Sequence, residues 1–255
     1  MKYFLTAIAL LLSNQALAQT VVSSTDAHVT GSNPTITITG VSVGDTILVQ
    51  SAVGANLHAT GCLDSVTGET VNLDYAPSPI EQNSVYRGAA FCSVVNVKTG
   101  GSHTITVDTS GAGNFALFAE DVSGLGASAA FDQAATLNSS AGTASTSAVT
   151  SSITPAHAKS ILVALITENA TSVTYSAWTN SFTALNALTN SPNAGNAYLV
   201  QATPAAVTAG ATLSTADYWI AGIAVYYGTV ASTPTGFVIS NGHALMSNGK
   251  PVVVN

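Results

Sequence analysis

Residues 33–49 read Asn-Pro-Thr-Ile-Thr-Ile-Thr-Gly-Val-Ser-Val-Gly-Asp-Thr-Ile-Leu-Val. Within them Thr35 to Thr39 alternates polar and apolar β-branched residues, Gly44-Asp45 marks a turn, and Ile47-Leu48-Val49 is a short continuous apolar run. Side chains on a strand point alternately to opposite faces, so the alternation reads as a strand with one face buried and the run as the start of a buried strand. The same two signatures recur outward from this stretch. His103 to Val107 and Val94 to Val97 alternate, and Ile161-Leu162-Val163 is another apolar run. Turn residues interrupt the chain at Thr67-Gly68-Glu69, Thr99-Gly100-Gly101 and Ser110 to Gly113, and no window sustains a helical stripe. Many short strands with frequent turns predict an all-β sandwich or barrel.

The chain also repeats itself. Gly44 to Val49 is echoed by Ala158 to Val163, an offset of 114 between Ile47 and Ile161. The succession of turn, strand and apolar strand from Val97 to Glu120 returns from Val207 to Tyr227, an offset of 104 between Phe115 and Trp219. Similar offsets in the same order indicate duplication. The predicted architecture is therefore two tandem antiparallel β-sandwich modules, jelly-roll or Ig-like, followed by a C-terminal β-hairpin. Their expected limits are 19–134 and 135–228, with a linker and hairpin at 229–255. The Ser/Thr/Ala stretch Leu137 to Ser152 reads equally as a flexible linker or as extended strands crossing between the modules.

Composition narrows the function classes. Of 255 residues, 47% are hydrophobic and 7% charged, with 5 Lys/Arg against 12 Asp/Glu. Five basic residues cannot build a phosphate-neutralising face, which excludes nucleic acid as a partner. Met1 to Ala18 has Lys2, an apolar run from Tyr3 to Leu12 and the small-x-small site Ala16-Leu17-Ala18, the pattern of a secretory signal peptide. Its apolar run is too short to span a bilayer, and no transmembrane segment is expected. Export changes the reading of Cys62 and Cys92, the two cysteines of the chain. In an oxidising compartment they read as a disulfide, the alternative being two separately buried thiols.

The strings Gly44-Asp45, Gly101-Ser102-His103-Thr104-Ile105-Thr106-Val107 and Phe115 to Leu125, followed by Phe131-Asp132-Gln133, resemble tandem β-sandwich modules of secreted bacterial and phage-associated proteins. Asp121-Val122 departs from the aromatic that usually follows Glu in those modules. The resemblance implies a sandwich and no particular chemistry. The tail, Phe237 to Asn255, resembles the hairpin that opens the catalytic domain of family 5 glycoside hydrolases, with Asn248-Gly249 as its turn. None of that family's catalytic Glu-bearing strands follows, so hydrolysis does not carry over; the tail suggests a truncated front end or a separate docking element.

Searches for chemistry return little. His28, His58, His103, His157 and His243 are isolated, with no HxH or HExxH unit, and no EF-hand loop occurs. Gly242 to Lys250 lacks the spacing of a phosphate loop, and no G-x-S-x-G elbow is present. Glu120 and Asp121 are adjacent on a strand, so they face opposite ways; Glu120 reads as a strand-end cap for the Ser123-Gly124 turn, with Glu168 in a comparable role. No catalytic residue, metal or cofactor is expected. Exposed aromatics are the remaining binding signal, and Trp178, Tyr175, Tyr86 and Tyr75 are the candidate ligand-binding residues, while Trp219 reads as core. The expected function is a secreted, non-catalytic structural or surface-attachment element that self-associates. The alternative is a carbohydrate-binding accessory module with polysaccharide as partner.

Overall fold

The alternating and continuous apolar strings become two kinds of strand. In the computed structural model, which describes residues 19–126, 129–169, 172–228, 244–247 and 250–253, the expected signal peptide and the segment 229–243 lie outside the described residues. The first half contains β1 (Thr20–Gly31), β2 (Thr35–Val41), β3 (Thr46–Gly54), β4 (Ala59–Asp64), β5 (Thr70–Tyr75), β6 (Ile80–Gln82), β7 (Val85–Val95), β8 (Gly101–Thr109) and β9 (Gly113–Ser123). The second contains β10 (Ala130–Ala134), β11 (Asn138–Ser139), β12 (Ser145–Val149), β13 (Ser160–Glu168), β14 (Tyr175–Ser176), β15 (Thr183–Leu188), β16 (Asn193–Gln201), β17 (Gly210–Asp217) and β18 (Trp219–Tyr227). A hairpin of β19 (Ala244–Ser247) and β20 (Lys250–Val253) is a separate unit, paired from Ala244↔Val253 to Ser247↔Lys250.

Each half is an antiparallel sandwich with the same strand order. The first pairs a sheet β1-β9-β3-β7-β5, with β6 on β7, against a three-stranded sheet β2-β8-β4. The second pairs β10-β18-β13-β16-β15, with β11 on β18, against β12-β17-β14. The expected two-module, all-β architecture is thus present. The boundary expected at 134/135 moves: β10 pairs with β18, so residues 130–134 belong to the second sandwich. The stretch Leu137 to Ser152 resolves into strands, β11 and β12, rather than a free linker.

The duplication is real in order but slipped by one residue in part of its sequence echo. Ile47 and Val49 face the interior of the first sandwich, whereas Leu162, not Ile161 or Val163, faces the interior of the second. The pair Ile47↔Asp121 therefore corresponds to Leu162↔Val225, an offset of 115 in β3/β13 against 104 in β9/β18. A one-residue slip exchanges the two faces of a strand, and two equally apolar faces leave no mark of it in the sequence.

Both faces of β3 and β13 are apolar because the larger sheets are inner layers. Leu48, Ala52, Phe91, Ala116 and Phe118 of the first sandwich pack in one cluster with Ile161, Val163, Leu165, Ala224 and Tyr226 of the second. The body is a stack of four sheets, the small sheets outermost, and Ala18–Thr229 forms one compact unit. Gly222 permits the close approach at its centre: a Cβ there would lie 2.9 Å from Leu137 Cδ2 and 3.2 Å from the Phe91 ring. The outer strands keep the half-buried pattern, with Ile36 and Ile38 inside and Thr35, Thr37 and Thr39 exposed. Cys62 on β4 and Cys92 on β7 form a disulfide that joins the two sheets of the first sandwich, Cα atoms 6.5 Å apart.

Candidate functional site

The carboxylates and the buried imidazole gather into three groups. The first lies between the sandwiches. Glu120, fully buried on β9, accepts from Gln50 Nε2 of β3 (3.1 Å) and from Asn196 Nδ2 of β16 (2.5 Å), and Asn196 Oδ1 in turn accepts from the Asn186 backbone N–H (2.9 Å). Burial pushes the Glu120 carboxyl up to about 8, although both amides favour its ionised form. Nearby, Tyr226 donates to Asp74 Oδ2 (2.9 Å), and burial raises Asp74 to about 6. These contacts tie one sandwich to the other, so Glu120 is not the turn cap its position at the end of an apolar run suggests.

The second group lies where β3 begins. His103, on the inward face of β8, has acceptors at both ring nitrogens: Asp64 Oδ2 at 2.6 Å from Nδ1 and the Thr99 carbonyl at 2.9 Å from Nε2. The side chains of the His103–Asp64 pair are fully buried. The nitrogen that would serve a nucleophile in a triad is taken by a backbone carbonyl. Asp121 projects toward the same end from β9, within hydrogen-bonding reach of Asp45. Burial raises it to about 6, with the Asp45 charge adding and His103 opposing. Three strings picked out in the sequence, around Asp45, His103 and Asp121, thus converge, although each looked isolated.

The third group lies where β13 ends. Trp219, Glu168 and Asn193 are neighbours across β18, β13 and β16. The Tyr175 ring stands over them in space left by Gly195, where a Cβ would fall 2.7 Å from the ring. The Tyr175 hydroxyl donates to Asn193 Oδ1 (2.9 Å) and lies within reach of the Glu168 carboxyl, while the buried Trp219 Nε1 has no acceptor. Burial pushes Glu168 up to about 7, the Tyr175 hydroxyl opposing and the negative charge of Asp217 adding to it. Arg87 crosses from the first sandwich and donates through Nε to the Glu168 carbonyl (3.1 Å).

The aromatic candidates do not share one platform. Tyr75 packs toward the central layer beside Phe91, ring centroids 6.4 Å apart. Tyr86 donates to Glu81 Oε2 (2.9 Å) on the β6–β7 hairpin. Tyr175 and Trp178 meet in one cluster of the second sandwich, where Trp178 is half-buried, and Trp219 is core. Among the described residues, no three His, Cys, Asp or Glu side chains are placed to hold one metal ion, and no helix is long and apolar enough to cross a membrane. Glu120 and Glu168 have no exposed surface, so neither reaches a substrate in this conformation. The chain matches no protein-family model, and no curated protein matches it.

Proposed function

We propose that the chain is a secreted, non-catalytic β-sandwich protein that acts as an extracellular structural or surface-attachment element. The observation that carries this reading is where polarity has gone. The carboxylates that would suit catalysis are enclosed, while the outer sheets offer uncharged hydroxyls: Thr35, Thr37, Thr39 and Ser102 on one, Ser147, Thr212, Ser214 and Ser176 on the other. Such faces suit contact with neutral surfaces or with further copies of the chain. Among the edge strands, β1 is 12 residues long and carries neither Lys nor Pro, the residues that usually discourage edge-to-edge pairing. The disulfide fits an oxidising compartment. Light scattering over a concentration series tests the reading: mass rising with concentration supports it, and a constant monomer mass argues against it.

Carbohydrate binding is the second reading, favoured by the half-buried Trp178 beside exposed Thr179 and Asn180. Retention on insoluble β-linked glycans, compared between wild type and Trp178→Ala, decides it. Equal retention removes Trp178 as a contact.

A further inference from the structure

We propose that Asp121, Asp45 and Ser23 form a site for a hard divalent cation of the calcium class at the end of the first sandwich. Asp121 is 1% exposed, and neither of its carboxylate oxygens receives a hydrogen bond from the chain. Ser23, its cross-strand neighbour on β1, faces the same way, and its buried Oγ likewise has no partner. The group that does face Asp121 is the Asp45 carboxyl, another acceptor. Buried polar atoms are nearly always satisfied, and two carboxyl groups within reach of each other are reconciled by a proton or by a cation between them.

Charge and chemistry favour the cation. Asp64 is engaged with His103, whose other ring nitrogen meets the Thr99 carbonyl, so no cationic side chain lies between the Asp121 and Asp45 carboxyl groups, and two carboxylates are balanced by one divalent ion. All three proposed ligands are oxygens, and calcium accepts carboxylates and neutral oxygens in flexible geometry, with water completing its shell. Asp45 is partly exposed and opens the cluster to solvent, whereas His103 is held away by its own two acceptors. The second sandwich has no such cluster at the matching position. Asp121 there becomes Val225, packed with Ile153 and Val207.

The test is calorimetric titration of chelator-treated protein with CaCl2 at pH 7.5, alongside thermal unfolding with and without the metal. Wild type is expected to bind one ion at roughly 0.1–1 mM, the range of extracellular oxygen-ligand sites, and to melt at higher temperature when loaded. Asp121→Asn and Asp45→Asn are each expected to lose the heat and the thermal shift, and Ser23→Ala to weaken both. Should Asp121→Asn fail to fold, Asp45→Asn and Ser23→Ala, both on partly exposed residues, decide the matter. No heat and no thermal shift in wild type up to about 10 mM, tenfold above the weak end of that range, overturns the proposal in favour of a shared proton. Binding that survives Asp45→Asn and Asp121→Asn also overturns it.

Discussion

The two sandwiches share strand order and antiparallel pairing, yet they place their polar groups at different ends. The first keeps His103, Asp64, Asp45 and Asp121 where β3 begins and fastens its sheets with a disulfide. The second fills the matching corner with Ile153, Val207, Ala209 and Val225, and puts Glu168, Asn193 and Tyr175 where β13 ends. Apolar alternation is what the duplicated halves have in common. A sandwich core is set by which face each side chain takes, and it tolerates exchanges of one apolar residue for another. Polar pairs need particular partners at particular distances, so each half carries its own.

That contrast breaks most readily at the layer where the halves meet. Both tryptophans, Trp178 and Trp219, lie in the second sandwich, so indole fluorescence reports that half alone. Phe91 belongs to the first sandwich but is fully buried against the second. Phe91→Ala is expected to cost about 3–5 kcal/mol and to lower the urea midpoint of tryptophan fluorescence and of far-UV circular dichroism together. A fluorescence midpoint that stays at the wild-type value would show the sandwiches to be independent domains. Replacing Cys62 and Cys92 together by Ala should cost somewhat less, about 3–4 kcal/mol from the loop the bridge closes. If the central layer couples the halves, the fluorescence midpoint falls here too, although the bridge lies wholly within the first sandwich. Gly222→Ala tests the same layer from the other side. Its Cβ would press on Leu137 and Phe91, an overpacking cost of about 1–3 kcal/mol, read as a lower urea midpoint.

The sequence was most informative where a residue's environment depends on its near neighbours. Thr35 to Thr39 alternates because one face of β2 meets solvent, and Ile161 to Val163 does not because β13 is an inner strand. Cys62 and Cys92 could be paired because the expected export signal left them few other uses. The central layer was not legible. A continuous apolar run shows that both faces are covered without showing by what, and this is also why the echo of Ile47 to Val49 in Ile161 to Val163 hides a slip of one residue. Nor was the Glu120 network visible: its partners Gln50 and Asn196 lie 70 and 76 residues away and carry no pattern of their own. His103 looked isolated for the same reason, Asp64 being 39 residues distant. The aromatic candidates were chosen by polar sequence context, which says little about where a ring points. Tyr75 lies between Asp74 and the turn-forming stretch Pro77-Ser78-Pro79 and still packs toward the core.

The smallest expected effect concerns Glu120, and it changes with pH. Glu120, Glu168, Asp121 and Asp74 are raised to about 8, 7, 6 and 6. A carboxyl raised on folding holds its proton in the native chain after the unfolded chain has lost it. The native state then binds more protons, and stability, fully present below the ordinary carboxylate range, falls as pH rises through the raised values. Stability to urea should therefore decline from about pH 4 to about pH 8. Glu120→Gln isolates the last part of that decline. At pH 4 the wild-type carboxyl is neutral in the native chain and mostly neutral in the unfolded one, and the amide is close to its isostere. Gln50 Oε1 now has no partner, and by turning its amide over Gln50 can accept from the new N–H2 group, so the two proteins should differ by less than about 1 kcal/mol. As pH rises toward 8 the wild type must keep a proton at Glu120 in order to fold, whereas the variant has none to keep, and the variant becomes the more stable of the two. A difference between them that stays constant from pH 4 to 9 would mean that Glu120 is ionised between the sandwiches throughout, and that Gln50 and Asn196 hold a charge rather than a neutral acid.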